Sequence, residues 1–109
     1  MNDGGLKEIL RHVERYLLPV ITRDSPNSLS REENKILALQ QIALLNQQIG
    51  LIGRTNRKEM ESMKALQTFV NSITIGVKND NVPQIKYGLT QARNLILSFS
   101  KEDCAGQNL

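Results

Sequence analysis

An apolar repeat of seven residues runs through positions 42–77 and limits the possible fold more than any other feature of this chain. With Ile42 as the first position (a) of the repeat, nine of the eleven first and fourth positions (a and d) are apolar. These nine are Ile42, Leu45, Ile49, Ile52, Met63, Leu66, Val70, Ile73 and Val77. Apolar residues spaced three and four apart lie along one side of an α-helix and pack against other helices. The repeat therefore predicts an all-α protein.

Asn56 and Glu59 interrupt this repeat and leave two interpretations of the segment 31–78. A single helix would be about 72 Å long and would expose apolar surface unless another chain covered it. Alternatively, Gly53 ends one helix, and Thr55 or Asn56 caps the next. We favour the turn. It predicts an antiparallel four-helix bundle, and the alternative is a pair of helical hairpins around one long central helix, completed by a partner chain.

The remaining helix boundaries follow from capping residues and proline. Ser30 stands three residues before Glu33, which is a capping box and marks a helix start. Pro19 interrupts the first apolar pattern, so the helix should stop near Leu18 or kink there. Asp3 is positioned to cap that first helix. The predicted helices span 5–22, 31–53, 56–78 and 82–100, separated most clearly by a loop at 23–29.

The last helix carries one apolar stripe, and the residues after it carry none. The stripe consists of Ile85, Leu89, Ala92, Ile96 and Phe99. Residues 101–109 are polar and lack periodicity, which predicts a flexible C-terminal tail after a helical domain spanning 1–100.

Composition restricts the compartment more than the activity. The net charge is +3, from 14 basic and 11 acidic residues, which is too mild to indicate a class of partner. Cys104 is the single cysteine, so no internal disulfide forms and a reducing compartment is expected. The N-terminal residues do not form a secretion signal, so we expect a cytoplasmic protein.

The segment 36–53 contains no charged residue over eighteen positions. It is barely long enough to cross a bilayer, and it carries five amides: Gln40, Gln41, Asn46, Gln47 and Gln48. Amides in hydrocarbon are costly. We therefore expect a helix buried in protein rather than a membrane span.

Two further features of this segment indicate a protein-binding surface. Leu37, Leu44 and Leu51 form a second apolar row, and glutamines occupy positions that usually carry charge pairs. Amides tolerate partial burial better than ions do. The predicted interface consists of Leu37, Gln41, Leu44, Gln48, Ile49, Leu51 and Ile52. The sequence thus favours a non-enzymatic interaction module (an adaptor, small chaperone or regulator) that forms a homo-oligomer and binds a further, unidentified protein.

The densest basic cluster is Arg54, Arg57 and Lys58. At the end of a bundle it could bind an anion or nucleic acid, and a nucleic-acid-associated regulator is the first alternative function. Glu59 and Glu61 follow directly and weaken the local positive potential. We therefore regard nucleic acid as an improbable partner and a solvated loop as the simpler interpretation.

No motif predicts a catalytic, metal or cofactor site. His12 is the only histidine, and Glu8 and Tyr16 lie one helical turn to either side of it. A stable metal site usually takes three or four suitable ligands, which this set does not supply. A small-ligand carrier or enzyme with a pocket in the bundle core is the last alternative.

Overall fold

Four α-helices form the part of the chain that the structure, a computed structural model, describes: residues 5–22 and 28–108, with side chains through Phe99. They are α1 (Leu6–Thr22), α2 (Arg31–Thr55), α3 (Met60–Lys78) and α4 (Val82–Asn108). A single 3₁₀ turn, Arg57–Glu59, joins α2 to α3. No strand occurs within these described residues, so the all-α prediction is confirmed.

Each helix packs against the next one in the chain, and α4 closes the bundle against α1. Diagonally opposed helices make no close backbone contact, so the four helices surround one core. The chain reverses direction at 56–59, which excludes the single long helix. The predicted antiparallel four-helix bundle is therefore the observed fold, with extents of 46 × 25 × 20 Å.

The seven-residue repeat faces the core. All nine apolar a and d residues between positions 42 and 77 are buried, and Ala38 extends the same side of α2. The other helices contribute the same kind of stripe: Leu6, Leu10, Val13, Leu17 and Val20 from α1, and Ile85, Leu89, Ala92, Ile96 and Phe99 from α4. Aliphatic side chains thus supply most of the stabilising burial.

The start of α2 is the predicted capping box. The backbone N–H of Glu33 donates to Ser30 Oγ at 3.1 Å, and the Ser30 N–H donates to Glu33 Oε1 at 3.1 Å. Asn34, one residue further, is fully buried, and its Nδ2 donates to the Ser30 carbonyl at 3.0 Å. Ser30 therefore fixes where α2 begins.

The predicted end of α2 at Gly53 is wrong by two residues. The helix continues through Arg54 to Thr55, with Gly53 inside it. A Cβ atom at Gly53 would lie 3.6 Å from Met63 Cβ, so α3 passes close to α2 at this point. Asn56 then accepts a hydrogen bond from the Lys58 N–H at 3.2 Å, and α3 begins at Met60 rather than at 56.

Other boundary predictions had mixed outcomes. Pro19 lies inside α1, which continues to Thr22 and so does not stop at Leu18. Asn81 caps α4 by accepting from the Gln84 N–H at 3.2 Å. The backbone of α4 is helical to Asn108. The flexible tail predicted at 101–109, the Asp3 cap and most of the 23–29 loop lie outside the residues described with side chains.

Helices α3 and α4 approach each other closely at two glycines, Gly76 and Gly88. A Cβ atom at Gly88 would lie 2.6 Å from Ile73 Cγ1 and 2.9 Å from the Phe69 carbonyl oxygen. Gly76 is similarly close to Ile85. Glycine is needed here because any side chain would force the two helices apart.

Polar contacts join separate elements of the bundle. Arg31 donates to the Val20 carbonyl at 3.2 Å and pairs with Asp80 in the α3–α4 turn. Arg93 of α4 pairs with Glu14 of α1 at 2.9 Å. Gln67 of α3 donates to Asn46 Oδ1 of α2 at 2.7 Å.

Candidate protein interface

The outward face of α2 carries large apolar side chains that the bundle leaves exposed. Leu44 is 47% exposed, Leu51 is 45% exposed and Leu37 is half-buried. These three residues, the outer leucine row, are seven residues apart and therefore lie on one line about 10 Å apart along the helix. Ile36 beside them is also exposed. Helix α2 is thus apolar on a second side besides its inward one, and the described chain covers this second side only in part.

The structure divides the seven predicted interface residues into two groups. Leu44 and Leu51 are exposed, whereas Leu37, Gln41 and Gln48 are half-buried at the edge of the outward face. Ile49 and Ile52 are buried on the opposite side and belong to the core. The accessible part of the predicted set therefore excludes the two isoleucines, which hold the bundle together.

A polar row runs beside the leucines along the outermost line of α2. It consists of Glu33, Gln40, Gln47 and Arg54, again at intervals of seven residues, and all four are exposed. We call it the outer polar row. The glutamines were apparent in the sequence, but Glu33 and Arg54 were not assigned to the same row. Their spacing of seven from Gln40 and Gln47 is the signal that identifies them.

The two ends of the outer polar row carry opposite charges. Hydrogen bonds from the backbone and side chain of Ser30 lower the pKa of Glu33 below its ordinary value, so its carboxylate remains charged at neutral pH. Arg54, at the other end, makes no ion pair with any described residue. The row is therefore negative near the start of α2, neutral in the middle and positive near its end.

Small residues lie on the side of this face that is nearer α3. Ala43 is exposed, and a Cβ atom added at Gly50 would meet only Arg54 Nη1, at 3.9 Å. Gly50 also borders a shallow, mostly apolar hollow of about 200 Å³ between α2 and α3, which includes Met60 and Lys64. At Gly88 an added side chain would clash with α3, whereas at Gly50 it would clash with no described residue of the chain.

The basic cluster lies at the turn between α2 and α3. Arg54, Arg57 and Lys58 are all exposed, and no described carboxylate pairs with them. Glu59 and Glu61 follow at once, and Glu61 pairs with Lys64 at 3.5 Å. The basic surface is therefore confined to one turn and does not extend along a helix face.

A surface cleft of about 400 Å³ lies between α1 and α4, and its lining includes Arg11, Arg15 and Arg93. His12 lines it too, with Nε2 at 3.6 Å from Glu8 Oε1. Among the described residues, no three His, Cys, Asp or Glu side chains are grouped so that they could hold a metal ion.

By length and composition alone, α2 could cross a membrane. That property belongs equally to core helices of soluble proteins. Here it arises because α2 is apolar on both its inward and its outward side.

Comparison with known proteins indicates no function for this chain. No protein-family model, curated protein or solved structure matches it.

Proposed function

We propose that this chain is a non-enzymatic protein-interaction module whose binding surface is the outward face of α2. The observation that carries the proposal is the outer leucine row, of which Leu44 and Leu51 are exposed, on a helix that has no charged residue over 36–53. An apolar row of this kind, bordered by polar residues, is typical of surfaces that bind other proteins. An adaptor, a small chaperone and a regulator all use such a surface.

The leucines would supply the affinity. Full burial of a leucine side chain stabilises by roughly 1.5–3 kcal/mol relative to full exposure. Since Leu44 and Leu51 are about half exposed, each still has roughly 1 kcal/mol to gain from a partner. A helix laid along this face would cover both at once, in the manner of helix-to-helix packing.

The glutamines would determine which partner fits. Gln40 and Gln47 can be desolvated in hydrogen-bonded pairs at lower cost than charged side chains. Apart from Arg54 at its end, the face lacks the basic residues that would attract phosphate, which argues against nucleic acid as its ligand. It also lacks the continuous apolar surface that would favour hydrocarbon over protein.

Site-specific photocrosslinking tests this proposal. A benzoylphenylalanine residue replaces Leu44 in one variant and Tyr87 of α4 in the control, since both positions are about half exposed. We expect protein adducts from position 44, in the native cell or with the purified chain, and few from position 87. Absence of protein adducts at position 44 in both settings would contradict the proposal, and lipid adducts there would indicate a membrane surface instead.

A further inference from the structure

We propose that the partner on the outward face of α2 is a second copy of this chain, bound antiparallel about a twofold axis beside Leu44. This inference rests on the proposed function, because it names the occupant of the same face. It follows from the arrangement of the outer leucine row and the outer polar row, each of which matches itself when α2 is reversed.

The outer leucine row is symmetric about Leu44. Leu37 and Leu51 lie seven residues to either side of it. When two copies of α2 meet head to tail about a twofold axis at this point, each Leu37 faces the Leu51 of the other copy, and the two Leu44 side chains meet. A twofold interface uses the same patch on both copies, so it requires this kind of self-matching.

The outer polar row is antisymmetric in charge about nearly the same point. Its midpoint lies between residues 43 and 44, and its ends are Glu33 and Arg54. Reversal of α2 brings each Glu33 to the Arg54 of the other copy and each Gln40 to Gln47. The ion pairs lie at the two rims and the amide pairs near the centre, where desolvation of charge would be costly.

The agreement of the two rows makes the match specific. Their midpoints differ by half a residue, or about 0.75 Å along the helix axis. A parallel pair would instead gather both Glu33 residues at one end of the contact and both Arg54 residues at the other, so that neither would meet an opposite charge. A charged partner would find no counter-charges over the uncharged stretch 36–53. A second copy in antiparallel orientation places a matching partner opposite every residue of both rows.

The size of the contact sets the expected affinity. Helix α2 has 25 residues and is about 37 Å long. One helix packed on one helix buries less than the roughly 1,600 Å² of a standard interface. We expect a dissociation constant of about 1–100 µM, the range of weak, reversible dimers.

Sedimentation equilibrium of the full chain tests the pairing of charges. Arg54→Glu sets a second carboxylate against Glu33 at both rims, and we expect the dissociation constant to rise about tenfold at low salt and less at high salt. Lys86→Glu on α4 makes the same change in net charge away from the face and should leave the constant unchanged. The double variant Glu33→Lys/Arg54→Glu should restore the affinity, whereas Glu33→Lys/Lys86→Glu should not. Circular dichroism confirms that each variant is folded.

Cysteine crosslinking tests the orientation, in a Cys104→Ser background. In the Leu44→Cys variant, the cysteines of the two copies should form a disulfide with each other. The Leu37→Cys variant alone and the Leu51→Cys variant alone should form no intermolecular disulfide. A mixture of the two variants should form one. Efficient self-crosslinking of all three would show a parallel pair and would overturn the inference.

A chain that stays monomeric up to several hundred micromolar would also overturn it, as would a dimer that Arg54→Glu and Leu44→Ser leave intact. Neither result contradicts the proposed function if position 44 still photocrosslinks to a different protein in the cell. The failure of the second-copy inference is thus distinguishable from failure of the binding face itself.

Discussion

The inward and outward faces of α2 share the same seven-residue period but differ in what covers them. Leu45 and Leu44 are neighbours in sequence, yet Leu45 is fully buried and Leu44 is 47% exposed. Both belong to rows of aliphatic side chains spaced by seven. The inward row is covered by α1 and α3, whereas Leu44 and Leu51 of the outward row remain about half exposed. The comparison shows that an apolar period identifies a packing face without identifying the chain that packs on it.

The largest expected effect separates the two faces directly. Leu45→Ala leaves a cavity in the core, and we expect a loss of about 2–5 kcal/mol in the free energy of unfolding. Leu44→Ala should change that free energy by less than about 0.5 kcal/mol. Urea unfolding at a concentration where the chain is monomeric measures both. Equal losses for the two variants would mean that the faces do not differ as described.

A second pair of substitutions compares glycines where helices touch and where they do not. Gly88→Ala places a methyl group 2.6 Å from Ile73 Cγ1, and we expect a loss of about 1–3 kcal/mol from overpacking. Gly50→Ala meets only Arg54 Nη1 at 3.9 Å and should instead stabilise the monomer by about 0.5–1 kcal/mol, because alanine favours the helix. Thermal unfolding of the two variants should therefore shift in opposite directions.

A third substitution affects both faces together. Ser30→Ala removes the hydrogen bond that caps α2, and we expect a loss of about 1 kcal/mol in stability. Ser28→Ala, an exposed serine outside the cap, is the matched control. Because Ser30 caps the whole of α2, the free energy of unfolding should fall. The positions that photocrosslink to a partner should stay the same. A selective loss of crosslinking at position 44 would show that the outward face is not part of the same rigid helix.

The smallest expected effect concerns pH and lies away from α2's two faces. The hydrogen bond from Arg31 lowers the pKa of Asp80 below its ordinary value of 3.8. The stabilisation from this pair is thus present above the ordinary pKa and is lost as pH falls through the lowered one. Asp80→Asn, which keeps the left-handed backbone accessible, should be less stable than the wild type near neutral pH and approach it in strong acid. Urea midpoints over this pH range measure the difference, with Glu61→Gln as the control.

The sequence alone predicted the features that depend on local spacing. The nine buried a and d residues and the Ser30–Glu33 cap needed only periodicity and capping chemistry. Gly53 was misjudged because it lies inside α2, where Met63 packs against it, and not at the helix end. The links between Arg31 and Asp80 and between Glu14 and Arg93 join residues far apart in sequence, so no local signal identifies them. The exposure of Leu44 depends on which helices are neighbours, which the period does not encode.

The hydrogen bond between Asn46 and Gln67 has a consequence for folding accuracy. Residues 40–46 and 47–53 nearly repeat each other, so a slip of α2 by one repeat would keep aliphatic side chains in the middle of the core but would bring Asn56 and Glu59 to the places of Ile49 and Ile52. Such a slip would replace Asn46 with Gly53 opposite Gln67, and the bond of 2.7 Å would have no acceptor. It would also carry the Ser30 cap about 10 Å from its place. The amide of Asn46, the hydroxyl of Ser30 and the polar residues Asn56 and Glu59 thus act together to distinguish the native alignment from the slipped one.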